Sequence, residues 1–282
     1  MSQKLNAYSK SHIIDLISEG AQNDSTWVFD CDGTLIRGDI ASLSAWALIR
    51  LGIAHAEILP KEYEDFKRLP FTYESFKELR QIIIQQKGIQ AIYEWETYLH
   101  AGLPPKTSYD TAQFAVREGL KNKHLGFLKP VSELASKNKQ NAWIVSGSPD
   151  MCVWAIADHL EIPHERVLGT RLETVDGIFS PKIMAPGVVW EDLKRQVLLA
   201  KNVSKPYFVA GDTIGDWQMF EMATTWCWCV VWGPYRHRGN EFREVLQERI
   251  LGRKGPQLPL EPGYYLFEAK DKNWVFEVIG EK

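Results

Sequence analysis

The stretch TWVFDCDGTLIRGD, residues 26–39, decides the fold that the sequence predicts. It begins with an apolar run, which is followed by Asp30, Asp32 and the pair Gly33-Thr34. The apolar run predicts a strand that is buried on both faces, as in a parallel sheet. Two carboxylates at the end of such a strand repel each other and resist leaving water. The stretch therefore predicts that a cation lies beside them or that they take part in a reaction.

Size and composition exclude several classes of protein. The chain has 282 residues, of which 45% are apolar, enough for a large α/β core with a smaller domain. Its net charge of −3 provides no basic field for nucleic acid or an anionic membrane. No apolar run reaches the roughly 18 residues that span a membrane, and the N-terminus lacks the apolar segment of a signal peptide. We therefore expect a cytoplasmic protein without nucleic-acid or membrane partners, whose four cysteines are reduced thiols.

Apolar runs alternate with helical patterns along much of the chain. The apolar runs are residues 26–30, 142–146, 166–170, 207–211 and 225–232. The helical patterns between them are residues 130–139, 149–162, 190–202 and 216–223. Strands that alternate with helices predict an α/β protein with a doubly wound parallel sheet, a Rossmann-like core.

A long segment with helical spacing separates the first two strands. It covers about 90 residues, far more than an ordinary connection. We interpret it as an inserted helical cap, which would lie over the carboxyl ends of the strands, where open sheets bind ligands. The predicted divisions are a core of residues 1–36 and 126–252, a cap of residues 37–125, and a connector with a β-hairpin at residues 253–282.

Polar residues follow the three strongest apolar runs. Asp30 and Asp32 follow the first, Ser146 ends the second, and Asp212 and Asp216 follow the third. Because the carboxyl ends of parallel strands meet at one edge, these side chains should share one crevice. Mg²⁺, which prefers oxygen ligands, would neutralise the carboxylates.

The same crevice has features that suit a phosphate group. Ser146 offers a hydroxyl, and Ser148 and Pro149 suit the N-cap and first position of a helix whose free N–H groups would bind phosphate oxygens. A lysine near the edge would help to hold the anion. Lys182 and Lys194 are the candidates, and Lys194 is better placed because its helix leads into the strand before Asp212.

These elements resemble the motifs of the haloacid dehalogenase superfamily. They are Asp-x-Asp-Gly-Thr, a strand-ending Ser-Gly, a helix lysine and Gly-Asp-x-x-x-Asp, in the family's order. The helical insert, IVSGS and TVDGIFSP most resemble the phosphoserine-phosphatase branch. The resemblance implies that Asp30 is the nucleophile that forms an aspartyl-phosphate and that Asp32 is the general acid and base. It implies Mg²⁺ on Asp30, the main-chain carbonyl of Asp32 and Asp212, with Asp216 beside it. The implied ligands of the phosphoryl oxygens are Thr34, Ser146, Gly147 and Lys194.

The sequence also departs from this branch. Thr213 and Gly215 replace a glycine and an asparagine, which leaves both aspartates of that motif in place. Asp39 stands nine residues after Asp30, where the branch has a glutamate that binds the substrate's amino group, and it is also a candidate helix cap. The insert is rich in aromatic residues; most should pack between helices, and one or two facing the crevice would suit a quaternary amine.

The sequence therefore predicts a Mg²⁺-dependent phosphomonoester hydrolase that acts on a small, phosphoserine- or phosphocholine-like metabolite. Asp32 argues against a dehalogenase, which lacks an acid at this position. Three alternatives stay open: a phosphotransferase, a phosphatase of phosphotyrosine in proteins, and a non-catalytic scaffold on the same core. The oligomeric state is not predicted.

Overall fold

The computed structural model describes residues 15, 17–19, 21–231, 263–268 and 278–279. The strands are β1 (Trp27–Phe29), β2 (Ile36–Arg37), β3 (Gly126–Phe127), β4 (Ala142–Pro149), β5 (Val167–Thr170), β6 (Leu172–Val175), β7 (Ile178–Ile183), β8 (Phe208–Gly211), β9 (Trp226–Val231), β10 (Gly263–Glu268) and β11 (Val278–Ile279). Seven of them form one sheet in the order β11-β10-β9-β8-β1-β4-β5.

The five strands from β9 to β5 are parallel and confirm the predicted sheet. β1 lies at its centre, with Val28 opposite Trp143 of β4 and Val209 of β8. All three residues of β1 are buried, as expected for a strand that is covered on both faces. The backbone N–H of Asp30 still donates to the carbonyl of Ala210 at 2.9 Å, so the ladder holds the chain up to the first carboxylate.

Helices flank this sheet and fill the long segment after β1. The α-helices are α1 (Ile40–Arg50), α2 (Tyr73–Lys87), α3 (Ile89–Tyr98), α4 (Pro105–Lys121), α5 (Lys129–Lys137), α6 (Asp150–Leu160), α7 (Asp192–Ala200) and α8 (Trp217–Phe220). The described residues also form 3₁₀ helices at Ala56–Ile58, Lys61–Phe66, His164–Arg166 and Ile214–Asp216. Among the described helices, none is both long and apolar enough to cross a membrane.

The insert enters and leaves the core at one place. β2 and β3 pair antiparallel, with Ile36 opposite Phe127, so the two ends of the segment that carries α1 to α4 lie side by side. α3 then packs against β4 and α4 against α6 of the core. The predicted division into a core and a cap stays a prediction, which this arrangement suits.

One edge of the sheet is covered by the C-terminal strands. β10 pairs antiparallel with β9, and β11 pairs antiparallel with β10, with Tyr264 opposite Ile279. The pairing agrees with the predicted hairpin, whose expected turn at residues 270–273 lies outside the described residues. Cys31, Cys152 and Cys227 are free and buried, as expected for reduced core thiols.

Candidate active site

Asp30 lies at the end of β1 against a buried lysine. Lys194, in the first turn of α7, donates from Nζ to Asp30 Oδ1 at 2.6 Å and to Asp216 Oδ1 at 2.6 Å. Thr34 donates from Oγ1 to the other oxygen of Asp30 at 3.0 Å. Only 2% of Lys194 is exposed, so the ammonium is held almost entirely by these acids. Lys182 lies on β7, where it pairs with Glu173 at the surface. Of the two candidate lysines, the structure thus brings Lys194 into the crevice.

The loop after β8 adds two more carboxylates. Asp216 Oδ2 accepts the backbone N–H groups of Asp212 and Thr213, each at 3.0 Å, which closes the loop as a capping box. Ligand oxygens of Asp30, Asp212 and Asp216 all lie within 4.8 Å of one another. Gly33 allows this approach, because a Cβ there would lie 2.0 Å from Asp212 Oδ2. An all-oxygen, acid-rich set of this kind fits a hard divalent cation such as Mg²⁺.

Asp32 has different partners from Asp30. Its Oδ1 accepts the backbone N–H of Ile40, the first residue of α1, at 2.7 Å. Its Oδ2 accepts the hydroxyls of Ser148 at 2.6 Å and Ser146 at 3.3 Å. The expectation that Ser148 caps a helix is wrong, because β4 continues to Pro149 and α6 begins only at Asp150. The Ser148 hydroxyl binds the second carboxylate instead.

Burial raises the proton affinity of both acids, and their neighbours differ. Burial raises the pKa of Asp30 to about 6, although the Lys194 ammonium opposes the shift. Burial, with the nearby charge of Asp39, raises the pKa of Asp32 to about 7. Burial disfavours the ammonium of Lys194, yet Asp216 and Asp30 together hold its pKa above the ordinary range. The site therefore pairs one carboxylate that faces a fixed cation with one that holds a proton near neutral pH.

Aromatic side chains cover the phosphate-binding loop that the sequence predicts. Tyr93 of α3 lies over Gly147, where an added Cβ would be 3.4 Å from the ring. The Tyr93 ring lies 5.2 Å from that of Trp190, measured between centroids, and Trp190 packs closely on Gly215. Lys194 Nζ lies 5.9 Å from the Trp190 ring centroid. α3 thus brings part of the insert into contact with the crevice.

A second buried ion cluster lies beside Asp32. Asp39 caps α1 by accepting the N–H of Ser42 at 2.9 Å, and its other oxygen accepts from Arg80 at 2.6 Å. Arg80 also donates to Glu96 at 2.6 Å. Glu96 is fully buried, and its Oε2 has no hydrogen-bond partner among the described residues. Burial raises the pKa of Glu96 to about 8, and the charge of Arg80 only partly opposes the shift.

Sequence reasoning did not identify Ser148 as a partner of Asp32, nor Arg80, Glu96 and Trp190 as neighbours of the site. The sequence does contain a sign that Glu96 is buried, because this acid lies among aromatic residues of a helix whose aromatic side chains are predicted to pack against other helices. Arg80 had none, because its two partners lie 41 and 16 residues away in the chain.

The family model of the haloacid dehalogenase-like hydrolases matches residues 27–221, the span that contains all four motifs. The chain belongs to this family. Solved structures with a similar fold were also found. A protein of unknown function from Bordetella pertussis Tohama I has a TM-score of 0.57 at 15% identity, covering 79% of this chain and 95% of its own. A functionally unknown protein from Anaerococcus prevotii DSM 20548 has a TM-score of 0.54 at 17% identity, and the match covers 77% of this chain and 84% of that protein.

Other comparisons do not refine the assignment. A phosphoserine phosphatase in its apo form has a TM-score of 0.43 at 16% identity, covering 79% of this chain and 98% of its own. That likeness is too low to assign the branch, which stays a prediction. No curated protein matches the sequence.

Proposed function

We propose that this hydrolase is a Mg²⁺-dependent phosphomonoesterase that acts through an aspartyl-phosphate on a small, amine-bearing phosphate ester. One observation supports the proposal above the others. Asp30 lies within 4.8 Å of two further carboxylates and accepts from a buried lysine, while a second acid with a raised pKa lies two residues on.

In the first proposed step, a carboxylate oxygen of Asp30 attacks phosphorus, and the bond between phosphorus and the ester oxygen breaks. Asp32 gives its proton to the leaving alkoxide, a role that suits an acid whose pKa is about 7. In the second step Asp32, now ionised, takes a proton from water as the water oxygen attacks phosphorus. The bond between phosphorus and Asp30 then breaks, and inorganic phosphate leaves.

The phosphoryl oxygens would be held by groups from the loop after β1, from β4 and from the first turn of α7. Thr34, Ser146, the N–H of Gly147 and Lys194 are the proposed donors. Each hydroxyl currently donates to a carboxylate, so substrate oxygens would replace or share those bonds.

The proposed metal ligands are the carboxylates of Asp30 and Asp212 and the main-chain carbonyl of Asp32, with Asp216 beside them. When bound, Mg²⁺ would polarise the phosphoryl group and offset its repulsion from the carboxylates. Asp216 would also hold the loop, because it accepts two backbone N–H groups of the capping box.

The surroundings favour a small leaving group that carries a cationic amine. Tyr93 and Trp190 offer ring faces next to the crevice. Asp39 brings a carboxylate beside Asp32, and Arg80, its partner, also donates to Glu96. Phosphoserine and phosphocholine are esters of this chemistry. A protein-bound phosphotyrosine is disfavoured, because Tyr93 already lies over Gly147.

Phosphate release from phosphoserine, phosphocholine and a phosphotyrosine peptide tests the proposal, measured with Mg²⁺ and with EDTA. We expect metal-dependent release from the two small esters, its loss in Asp30→Asn, and its retention in the exposed control Asp110→Asn. Adding an acceptor alcohol separates hydrolysis from phosphoryl transfer. No metal-dependent turnover, or equal turnover by Asp30→Asn, would instead support the non-catalytic scaffold.

A further inference from the structure

A cavity of about 300 Å³ lies among the helices of the insert, and none of the catalytic carboxylates lines it. Its walls come from α1, the first turn of α2, and α4 with the residues after it. On α1 the lining residues are Leu43, Trp46, Ala47 and Arg50, which share one face of the helix. Ile40, whose backbone N–H donates to Asp32, does not line the cavity. The cavity is therefore a site of its own and has the size of a small-molecule pocket.

Ring-bearing side chains dominate the walls. Trp46, Tyr73, Phe114 and His124 all line the cavity. The Tyr73 ring lies 5.7 Å from the Trp46 ring and 5.7 Å from the His124 ring, measured between centroids. The Tyr73 ring already attracts a cation, because Lys77 Nζ lies 5.1 Å from its centroid. Ring faces grouped in this way favour an apolar body with a positive charge.

The charged side chains that line the cavity also favour a positively charged ligand. Glu74 and Glu118 line it together with a single formal cation, Arg50. Lys121 approaches Glu118 only to 4.0 Å and is largely exposed, so it does little to neutralise that carboxylate. Lys77, which lies on the Tyr73 ring, does not line the cavity. The residues that line it therefore carry more negative than positive formal charge.

We propose that this cavity is a binding site for a small organic cation, whose ammonium group lies by Glu118 and Glu74 and whose apolar body packs on Trp46, Tyr73 and Phe114. The site goes beyond the proposed phosphatase reaction and does not depend on it.

The test uses ¹⁹F NMR of the full chain labelled with 5-fluorotryptophan. The chain has 11 tryptophans, and the signal of Trp46 is assigned by its loss in Trp46→Phe. Benzyltrimethylammonium is the probe, with benzyl alcohol and benzoate as its neutral and anionic counterparts. We expect the Trp46 signal to shift saturably with the cation and to change least with benzoate.

Glu118→Gln and Glu74→Gln should each weaken the cation's affinity roughly two- to fivefold, the effect of losing one exposed electrostatic contact. Glu133→Gln, at an exposed glutamate on α5, should bind as the wild type does. The spectrum reports folding of each variant directly, and no phosphatase activity is needed. An absent or non-saturable shift, equal binding of the three probes, or unchanged affinity in both glutamine variants would overturn the proposal.

Discussion

Replacing Lys194 by methionine removes the one cation that donates to both Asp30 and Asp216. Methionine keeps the length of the side chain, so the change isolates the charge. Both carboxylates are buried, and Lys194 lies 2.6 Å from each. Removing one partner of a buried ion pair costs about 3–5 kcal/mol, because the remaining charge is left without compensation. We therefore expect the free energy of unfolding of the metal-free variant to be lower than that of the wild type by this amount at pH 8.

The loss should be smaller at low pH. The pKa of Asp30 in the folded protein, about 6, already exceeds its ordinary value of 3.8, and it will rise further without Lys194. The folded variant then binds more protons than the unfolded chain, so its stability falls as the pH rises through this interval. At pH 5 a proton replaces part of the lost charge. Mg²⁺ should also stabilise the variant more than the wild type, because it would bind carboxylates that the lysine no longer occupies.

Urea unfolding at pH 5 and pH 8 in EDTA, repeated with Mg²⁺, measures these differences. Turnover should also fall by about 100-fold or more, as when a donor to a developing charge is removed. Lys182→Met is the matched control: this lysine is exposed beside Glu173 and should change stability by less than about 1 kcal/mol. Near wild-type stability of the Lys194 variant at pH 8, or equal loss in the control, would refute the reasoning.

Three further substitutions test neighbouring parts of the site. Burial raises the pKa of Glu96 from 4.5 to about 8, so the stability of the wild type should fall as the pH rises through this interval, and Glu96→Gln should remove that fall. Urea unfolding measures it, and the same dependence of stability on pH in variant and wild type would contradict this prediction. Gly33→Ala should lower the free energy of unfolding by about 2 kcal/mol and weaken Mg²⁺ binding measured by calorimetry, because φ at Gly33 is +86° and the new Cβ would meet Asp212. Gly52→Ala is the control: φ at Gly52 is +68°, the surrounding space is open, and Mg²⁺ binding should not change. Tyr93→Ala should lower kcat/KM for phosphocholine about threefold or more, and Tyr93→Phe should retain it, if the ring face binds the amine; equal values in both would exclude that contact.

The sequence predicted the crevice because its main parts are consequences of strand order. Asp30 and Asp212 directly follow parallel strands, and parallel strands bring such ends to one edge. Ser146 reaches the same edge from the second half of β4, although the strand continues to Pro149 and does not end at Ser146 as predicted. Lys194 was also predictable, since its helix leads into β8 and therefore begins near that edge. These placements needed only periodicity and connection order.

Contacts between helices were not predictable in the same way. Arg80 on α2 binds Asp39, the N-cap of α1, and Glu96 on α3. These contacts depend on how the three helices pack. The predicted N-cap at Ser148 was wrong for a related reason. Thr170 of β5 donates to the carbonyl of Gly147 at 2.6 Å, which helps to extend β4 to Pro149, and local capping signals do not report that tertiary bond.

The different environments of Asp30 and Asp32 follow from their spacing on one strand end. Cys31 between them is fully buried, so the two carboxylates meet different neighbours. One faces Lys194 on α7, and the other faces the start of α1 and the hydroxyl of Ser148. Burial raises both pKa values, but only Asp30 has an ammonium that opposes the rise. Environments that differ in this way support the roles that we propose for the two acids: Asp30 as the nucleophile and Asp32 as the proton donor.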